Sequence, residues 1–155
     1  MSALSLLIVL AIIFNGMLSG ASLEASLVKL LARKRTGARA YAIFARGADL
    51  GNGLWVYPIW AVMSALLVFA ATVLSFVRGS GSALSFVLLA ASAASILHFV
   101  ATSQAAPVML SIRNAPDDES VLGAKLDAFA RWHAVRAVFQ VLAFLVLLWA
   151  LVIVR

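Results

Sequence analysis

Two histidines and one arginine in this 155-residue chain combine residue types that could do chemistry. His133 and Arg136 are three positions apart, so they share one face of a helix, and His98 lies in a separate apolar stretch. Ionisable side chains at membrane depth are costly, and they usually face the bundle interior and mark a functional site. A histidine beside an arginine predicts general acid–base chemistry, in which the guanidinium stabilises an enolate, phenolate or carboxylate.

Further polar residues are predicted to gather at the same end of the helices as His98, His133 and Arg136. We expect them to contact a ligand there: Asn15, Glu24, Asp49, Asn52, Tyr57, Thr102, Trp132 and Gln140. The other half of each apolar stretch is almost purely apolar. The sequence therefore predicts an apolar pocket with a polar floor, opening toward the predicted cytoplasmic side.

Each of these side chains also has a structural interpretation that stays open. Arg136 either pairs with Glu24 or Asp49 inside the bundle, or extends to lipid headgroups. A serine or a backbone carbonyl could satisfy His98, and His133 could be solvated. Asn15 has the alternative of a helix–helix hydrogen bond, and Trp132 that of an interfacial aromatic residue.

The elements that position these residues are long apolar stretches. The composition is 65% apolar, and no charged residue occurs in Met1–Leu23, Leu50–Val77, Gly79–Ile112 or Ala137–Val154. A run of about 18 or more apolar residues is typical of a membrane-spanning helix. We predict an all-α integral membrane four-helix bundle, a single domain over residues 1–155. Its spans are placed at about 3–22, 54–77, 83–104 and 131–153, and a soluble domain or a transmembrane β-barrel is excluded.

The basic residues predict the orientation. Ten of the twelve Lys and Arg residues fall between spans one and two, between spans three and four, or just inside span four. The positive-inside rule makes that side cytoplasmic, with both termini outside, and predicts a multi-pass protein of the cell inner or plasma membrane. The net charge of +6 is then a topology signal, and no nucleic-acid partner is predicted.

Smaller signals predict the helix boundaries. The first helix is expected to continue as a cytoplasmic stalk to Thr36-Gly37, and a short interfacial helix to cover Ala38–Asp49. Gly51-Asn52-Gly53 is expected to interrupt the helical structure before span two. Pro107 is expected to end the third helix, and the last helix to run from about Asp117 to Ile153.

The sequence predicts no cofactor. The chain has no cysteine, which excludes disulfides and thiolate-held metal centres. No P-loop, dinucleotide-binding or nucleophile-elbow motif occurs. A metal held by two histidines and a carboxylate from Glu24 or Asp49 is the alternative, although no supporting histidine spacing is present.

The start of the last helix resembles a known family. Phe129-Ala-Arg-Trp-His-Ala-Val-Arg136 and the following apolar helix through Leu148-Trp-Ala-Leu151 are similar to the anthrone oxygenase-like family of small four-helix membrane proteins. In that family a tryptophan, then Asn or His, then an arginine three positions later opens the last helix, as Trp132, His133 and Arg136 do here. The glycine-containing first helix, with Gly16 and Gly20, is compatible with it.

The resemblance implies a cofactor-independent oxygenase that oxidises polycyclic phenolic anthrones to quinones. His133 or His98 would act as the base, and Arg136 would stabilise the anion. The alternative is a non-enzymatic subunit or lipid-binding module of a larger membrane complex, with a docking surface along residues 29–46. The predicted partners are the lipid bilayer, a lipophilic small molecule, and either a second copy or a membrane complex.

Overall fold

The computed structural model describes residues 2–154, which form helices and short connections without a strand. Six α-helices follow in order: α1 Ala3–Glu24, α2 Leu30–Thr36, α3 Ala38–Gly47, α4 Gly53–Val77, α5 Ser82–Ser111 and α6 Glu119–Ile153. One π-helical turn, Ala25–Lys29, joins α1 to α2, and another, Ala48–Asn52, joins α3 to α4. The predicted all-α class is confirmed.

Four continuous helical stretches are long and apolar enough to cross a membrane: Ala3–Thr36, Ala38–Val77, Ser82–Ser111 and Glu119–Ile153. The long helices pack in the ring order α1, α4, α5, α6, and each contacts its two neighbours. We call the end that carries α2, α3 and the α5–α6 loop the basic end, and the opposite end the terminal end. The predicted four-helix bundle is confirmed, since its four apolar helices are those expected from the charge-free stretches.

The terminal end is held by close packing and by hydroxyl groups. Ile8, Val68, Leu88 and Leu147 lie in one buried apolar cluster. Between α4 and α5, the Thr72 hydroxyl lies 2.9 Å from that of Ser92, 3.2 Å from the Leu88 carbonyl and 2.9 Å from the Val68 carbonyl of its own helix. The Ser75 hydroxyl donates to the Ser85 hydroxyl at 3.2 Å. This half was expected to be almost purely apolar; its hydroxyls satisfy one another, so they can lie inside a bundle.

The basic end has a second apolar cluster, in which α3 lies across α5 and α6. Tyr41 and Leu50 are buried there against Ile112 and Leu122. Glu119, in the first turn of α6, accepts hydrogen bonds from the backbone amides at the start of α3, those of Ala38 and Arg39. The short helix predicted over Ala38–Asp49 therefore exists as α3, and its buried face closes the basic end of the bundle.

Arg46 ties α3 to the α5–α6 loop. Its guanidinium donates to the carbonyls of Ile112 at 3.2 Å and Ala115 at 2.8 Å, and to the Asp117 carboxylate at 2.6 Å. A second ion pair joins Arg33 to Asp127, across α2 and α6. These contacts bind the basic loops to the helices, as a planar guanidinium with several donors can.

The third long helix does not end at Pro107, as the sequence had suggested. α5 continues to Ser111 through that proline. Proline removes one backbone hydrogen bond from a helix but does not break it where packing holds both sides. Here Ala105, Met109 and Ile112 lie in the buried cluster with Leu122 on α6, so packing outweighs the lost bond.

The glycine-rich interruption before α4 is a π-helical turn rather than an open loop. Gly51 leaves helical geometry, with φ −94° and ψ −111°, and the chain resumes as α4 at Gly53. A Cβ on Gly53 would lie 2.8 Å from the Tyr57 ring and 3.1 Å from the Ala48 carbonyl oxygen. Glycine at position 53 therefore lets Tyr57 pack against the turn that carries Asp49.

Candidate functional site

A cavity of about 360 Å³ lies inside the bundle toward its basic end. We call it the basic-end cavity. Every long helix contributes to its wall, and so do α3 and both π-helical turns. Seven predicted site residues line it: His98, His133, Arg136, Asp49, Tyr57, Thr102 and Gln140. The remainder of the wall is mostly apolar, so a cavity with polar residues and an apolar wall lies at the predicted end. The side on which it was predicted to open is covered by α3, where Tyr41 and Leu50 are buried.

Four predicted site residues do not line this cavity. Glu24 is exposed and pairs with Lys29 at 2.8 Å, and Asn52 and Trp132 are also exposed. Asn15 is buried, donates to the Ala11 carbonyl of its own helix at 3.1 Å, and borders a neighbouring cavity of about 10 Å³. Helical spacing places residues on a face, but these positions depend on how far each helix is rotated in the bundle.

His133 has both ring nitrogens engaged. Its Nδ1 lies 2.6 Å from a guanidinium nitrogen of Arg136, and its Nε2 lies 3.2 Å from the backbone carbonyl oxygen of Ser22. A guanidinium only donates and a carbonyl only accepts, so Nδ1 accepts, and Nε2 carries the proton and donates. His133 thus connects α6 to α1 and orients Arg136, and neither nitrogen is free to take a proton from a ligand.

A second chain of hydrogen bonds closes the same helix pair. The Ser22 hydroxyl donates to Oε1 of Gln140 at 2.5 Å, and the Ser19 hydroxyl donates to the Gln140 carbonyl at 3.1 Å. Gly16 lets α1 approach α6, since a Cβ there would lie 3.1 Å from the Phe144 ring. The α1–α6 side of the cavity is therefore tightly joined.

Arg136 is charged and nearly buried without a carboxylate partner. Within residues 2–154, the acidic side chains in ion pairs are Glu24, Asp117 and Asp127, each with another cation. The expected pair between Arg136 and Glu24 or Asp49 is not formed, because Glu24 binds Lys29 and Asp49 lies outside ion-pair distance. A buried charge normally has a partner, so an unpaired guanidinium at a cavity wall is a place for an anion.

Three buried nitrogen atoms around the cavity have no hydrogen-bond partner within residues 2–154. They are Nε of Arg136, Nδ1 of His98 and Nε2 of Gln140. Two of these are obligate donors, and the imidazole nitrogen is either a donor or an acceptor. Buried polar groups are nearly always satisfied, so this set of nitrogens is suited to an oxygen atom of a ligand, best a negatively charged one.

The two histidines therefore differ in what they can do. His98, on α5, keeps Nδ1 free, while its ring packs edge-on against Phe99 with the centroids 5.4 Å apart. That nitrogen has no hydrogen-bond partner within the described residues. His98 thus has a ring nitrogen without a partner, whereas both ring nitrogens of His133 are engaged.

The described residues do not bring together the metal site that was the alternative. No group of three His, Cys, Asp or Glu side chains within residues 2–154 is close enough to hold a metal ion. The two-histidine set would need a free nitrogen of His133, and both are engaged.

Sequence reasoning did not find several parts of the site. Tyr41 of α3 and Met109 of α5 line the cavity, and the Ser22 carbonyl sets the proton position of His133. The apolar spacing of α3 signals that Tyr41 turns inward, but no sequence signal identifies a particular backbone carbonyl as the histidine's acceptor.

Comparison with known proteins adds no assignment. No protein-family model matches the chain, and no curated protein or solved structure matches it either.

Proposed function

We propose that this chain is a small multi-pass membrane enzyme that binds a lipophilic molecule through an acidic oxygen and deprotonates it for oxidation. Three nitrogens without a partner, on side chains that line a mostly apolar cavity, carry this proposal. A volume of about 360 Å³ falls in the range of small-molecule sites, about 300–1,000 Å³. A polycyclic phenolic compound of the anthrone class suits such a cavity, since it pairs a flat apolar body with one ionisable oxygen.

The residues divide the work between charge and proton. Arg136, oriented by His133, stabilises the oxyanion that forms when the substrate loses a proton, and the Gln140 amide donates beside it. His98 accepts the proton at its free Nδ1. Asp49, from the turn before α4, and Tyr57, from the first turns of α4, also line the cavity.

The reaction is written for an anthrone and dioxygen. The methylene carbon loses a proton to His98, and the resulting anion donates electrons to dioxygen as a carbon–oxygen bond forms. Protonation gives a hydroperoxide, and loss of water leaves the carbonyl of the quinone. One oxygen atom enters the product and the other leaves as water, so dioxygen is the oxidant and the anion itself is the reductant.

The test compares Arg136→Gln with Arg131→Gln, an exposed arginine five positions earlier on α6. The purified protein is given a hydroxylated anthrone, and oxygen consumption and quinone absorbance are recorded. Removing an oxyanion donor typically costs about 100- to 1,000-fold in turnover, so Arg136→Gln should lose that much while Arg131→Gln keeps wild-type turnover.

His98→Gln provides the second arm, with an expected loss of about 100-fold or more for a missing general base. Each variant is accepted only if its helix content and melting temperature match the wild type. Wild-type turnover retained by folded Arg136→Gln or His98→Gln would refute the assigned roles. Binding of a hydroxyanthraquinone without any wild-type turnover would favour the lipid-binding alternative.

A further inference from the structure

The long helices are joined unevenly around the basic-end cavity. The α1–α6 side is closed by the bonds from Ser19 and Ser22 to Gln140 and from His133 to Ser22. The basic end is closed by Tyr41 and Leu50, which are buried in the cluster beneath α3. These two sides of the cavity are therefore held shut by contacts within the protein.

The α4–α5 side differs along its length. At the terminal end, Thr72 and Ser75 bind hydroxyls of α5 and hold the two helices together. Toward the basic end, α4 has no buried residue between Gly53 and Ser64, whereas α5 stays buried against α6 as far as Met109. Burial of α4 therefore stops at the level of the cavity, while burial of α5 continues there.

At this level, three residues of α4 and α5 line the cavity and are exposed at the same time. Val62 on α4 is 49% exposed, and Phe99 and Leu110 on α5 are 37% and 46% exposed. All three are apolar and belong to helices apolar enough to cross a membrane. An apolar opening on the lipid-facing side connects the cavity to hydrocarbon rather than to water.

We propose that the cavity is loaded sideways from the bilayer, through the gap between α4 and α5, by a membrane-dissolved amphiphile with one acidic oxygen. This inference rests on the proposed function, because Arg136 and Gln140 hold the acidic oxygen. The apolar body of the ligand lies along Val62 and Phe99 and reaches the lipid through the gap. The ligand is therefore a molecule that partitions into membranes. The apolar gap selects for this property before the ligand reaches any charged group of the cavity.

The probe for this route is 4-hydroxybenzophenone, a lipophilic phenol that forms covalent bonds to nearby C–H groups under light. Its methyl ether, 4-methoxybenzophenone, is the matched probe without an acidic oxygen. The protein is reconstituted in phosphatidylcholine vesicles, the probe is added, and a light flash follows at increasing delays. Mass spectrometry then locates the labelled peptides.

We expect the phenol to label cavity-facing and gap-facing segments of α4 and α5, and the methyl ether to label lipid-facing segments in general. Val62→Trp should slow cavity labelling severalfold, and Phe99→Ala should speed it. Val73→Trp, at an exposed position on the terminal half of α4, serves as the control and should label at the wild-type rate. Both tryptophan variants replace exposed side chains, so folding is preserved.

The outcomes separate the route from the site. If Arg136→Gln labels its cavity as the wild type does, the acidic-oxygen site of the proposed function is refuted. If Arg136→Gln loses cavity labelling while Val62→Trp and Phe99→Ala both load at the wild-type rate, sideways entry is overturned and the site remains. Slowing by Val62→Trp alone, with Val73→Trp unchanged, supports the gap as the entrance.

Discussion

At the scale of single residues, the two histidines differ in the hydrogen bonds of their ring nitrogens. His133 and His98 are both buried and both line the cavity. In His133, both ring nitrogens are hydrogen-bonded, one to Arg136 and the other to the Ser22 carbonyl. The sequence motif around Trp132 predicts His133 as a base equally well. An imidazole that already accepts one hydrogen bond and donates another is better suited to orienting its neighbour.

This difference predicts unequal stability losses. His133→Gln removes two buried hydrogen bonds that join α6 to α1 and to Arg136. We expect its free energy of unfolding to fall by about 1–3 kcal/mol, the usual cost of leaving buried partners unsatisfied. His98→Gln removes a ring whose Nδ1 has no partner in residues 2–154, so its loss should be smaller. Denaturant unfolding in detergent, followed by circular dichroism, measures both.

A second readout tells positioning from plain stability. Folded His133→Gln should bind the phenolic ligand more weakly, because Arg136 loses the acceptor that orients it. Folded His98→Gln should keep most of the binding and lose turnover. Equal destabilisation of the two variants would contradict the division of roles.

At the scale of elements, hydroxyl contacts decide where helices stay together and where they part. Thr72 bonds α4 to α5 at the terminal end, whereas α4 has no buried residue between Gly53 and Ser64, toward the basic end. Which serines meet depends on the rotation of each helix, which only the assembled bundle defines.

We expect Thr72→Val to weaken the α4–α5 contact at the terminal end. Hydrogen bonds between membrane helices average about 0.6 kcal/mol and reach about 1.7 kcal/mol, so the loss of stability should fall in that range. Ser103→Ala is the matched control, since its hydroxyl is exposed and bonds only within its own helix, to the Val100 carbonyl and the Gln104 side chain. Unfolding in detergent measures the free energy of unfolding of both variants. A larger loss for Ser103→Ala than for Thr72→Val would argue against a stabilising contact between α4 and α5 at Thr72.

At the scale of the whole molecule, charged contacts at the basic end join segments far apart in the chain. Arg46 reaches across to Asp117 and the loop carbonyls, and Glu119 caps α3. These bonds fasten α3 over the basic-end cavity and close it from that side. The entrance that we propose then lies between α4 and α5.

We expect low pH to weaken the ion pair between Arg46 and Asp117. The Arg46 guanidinium holds the pKa of Asp117 below its ordinary value, mainly through a hydrogen bond. A carboxylate with a lowered pKa in the folded state contributes stability above its unfolded pKa and loses it as the pH falls through the folded pKa. The melting temperature of the wild type should therefore drop more steeply in acid than that of Asp117→Asn.

Arg113→Gln is the control for this pH series, because it removes an exposed charge from the same loop without touching the pair. Its acid slope should equal that of the wild type. If Asp117→Asn kept the full wild-type slope, the pair would not be the source of the acid sensitivity.

The chain by itself determined the membrane-sized helices, their number, and the end at which polar residues gather. Hydrophobic runs between bunched charges carry that information because burial in lipid depends on composition alone. The predicted residues that do line the cavity follow from helical spacing, as His133, Arg136 and Gln140 do on α6, or from their position at the start of the second span, as Asp49 and Tyr57 do.

Only the tertiary structure decided which polar atoms meet. The engagement of both His133 nitrogens, the unpaired Arg136, and the passage of α5 through Pro107 all depend on contacts between residues distant in sequence. Such contacts depend on helix rotation and separation, which periodicity does not specify. The proposed gap between α4 and α5 has the same origin, since it lies where α4 has no buried residue.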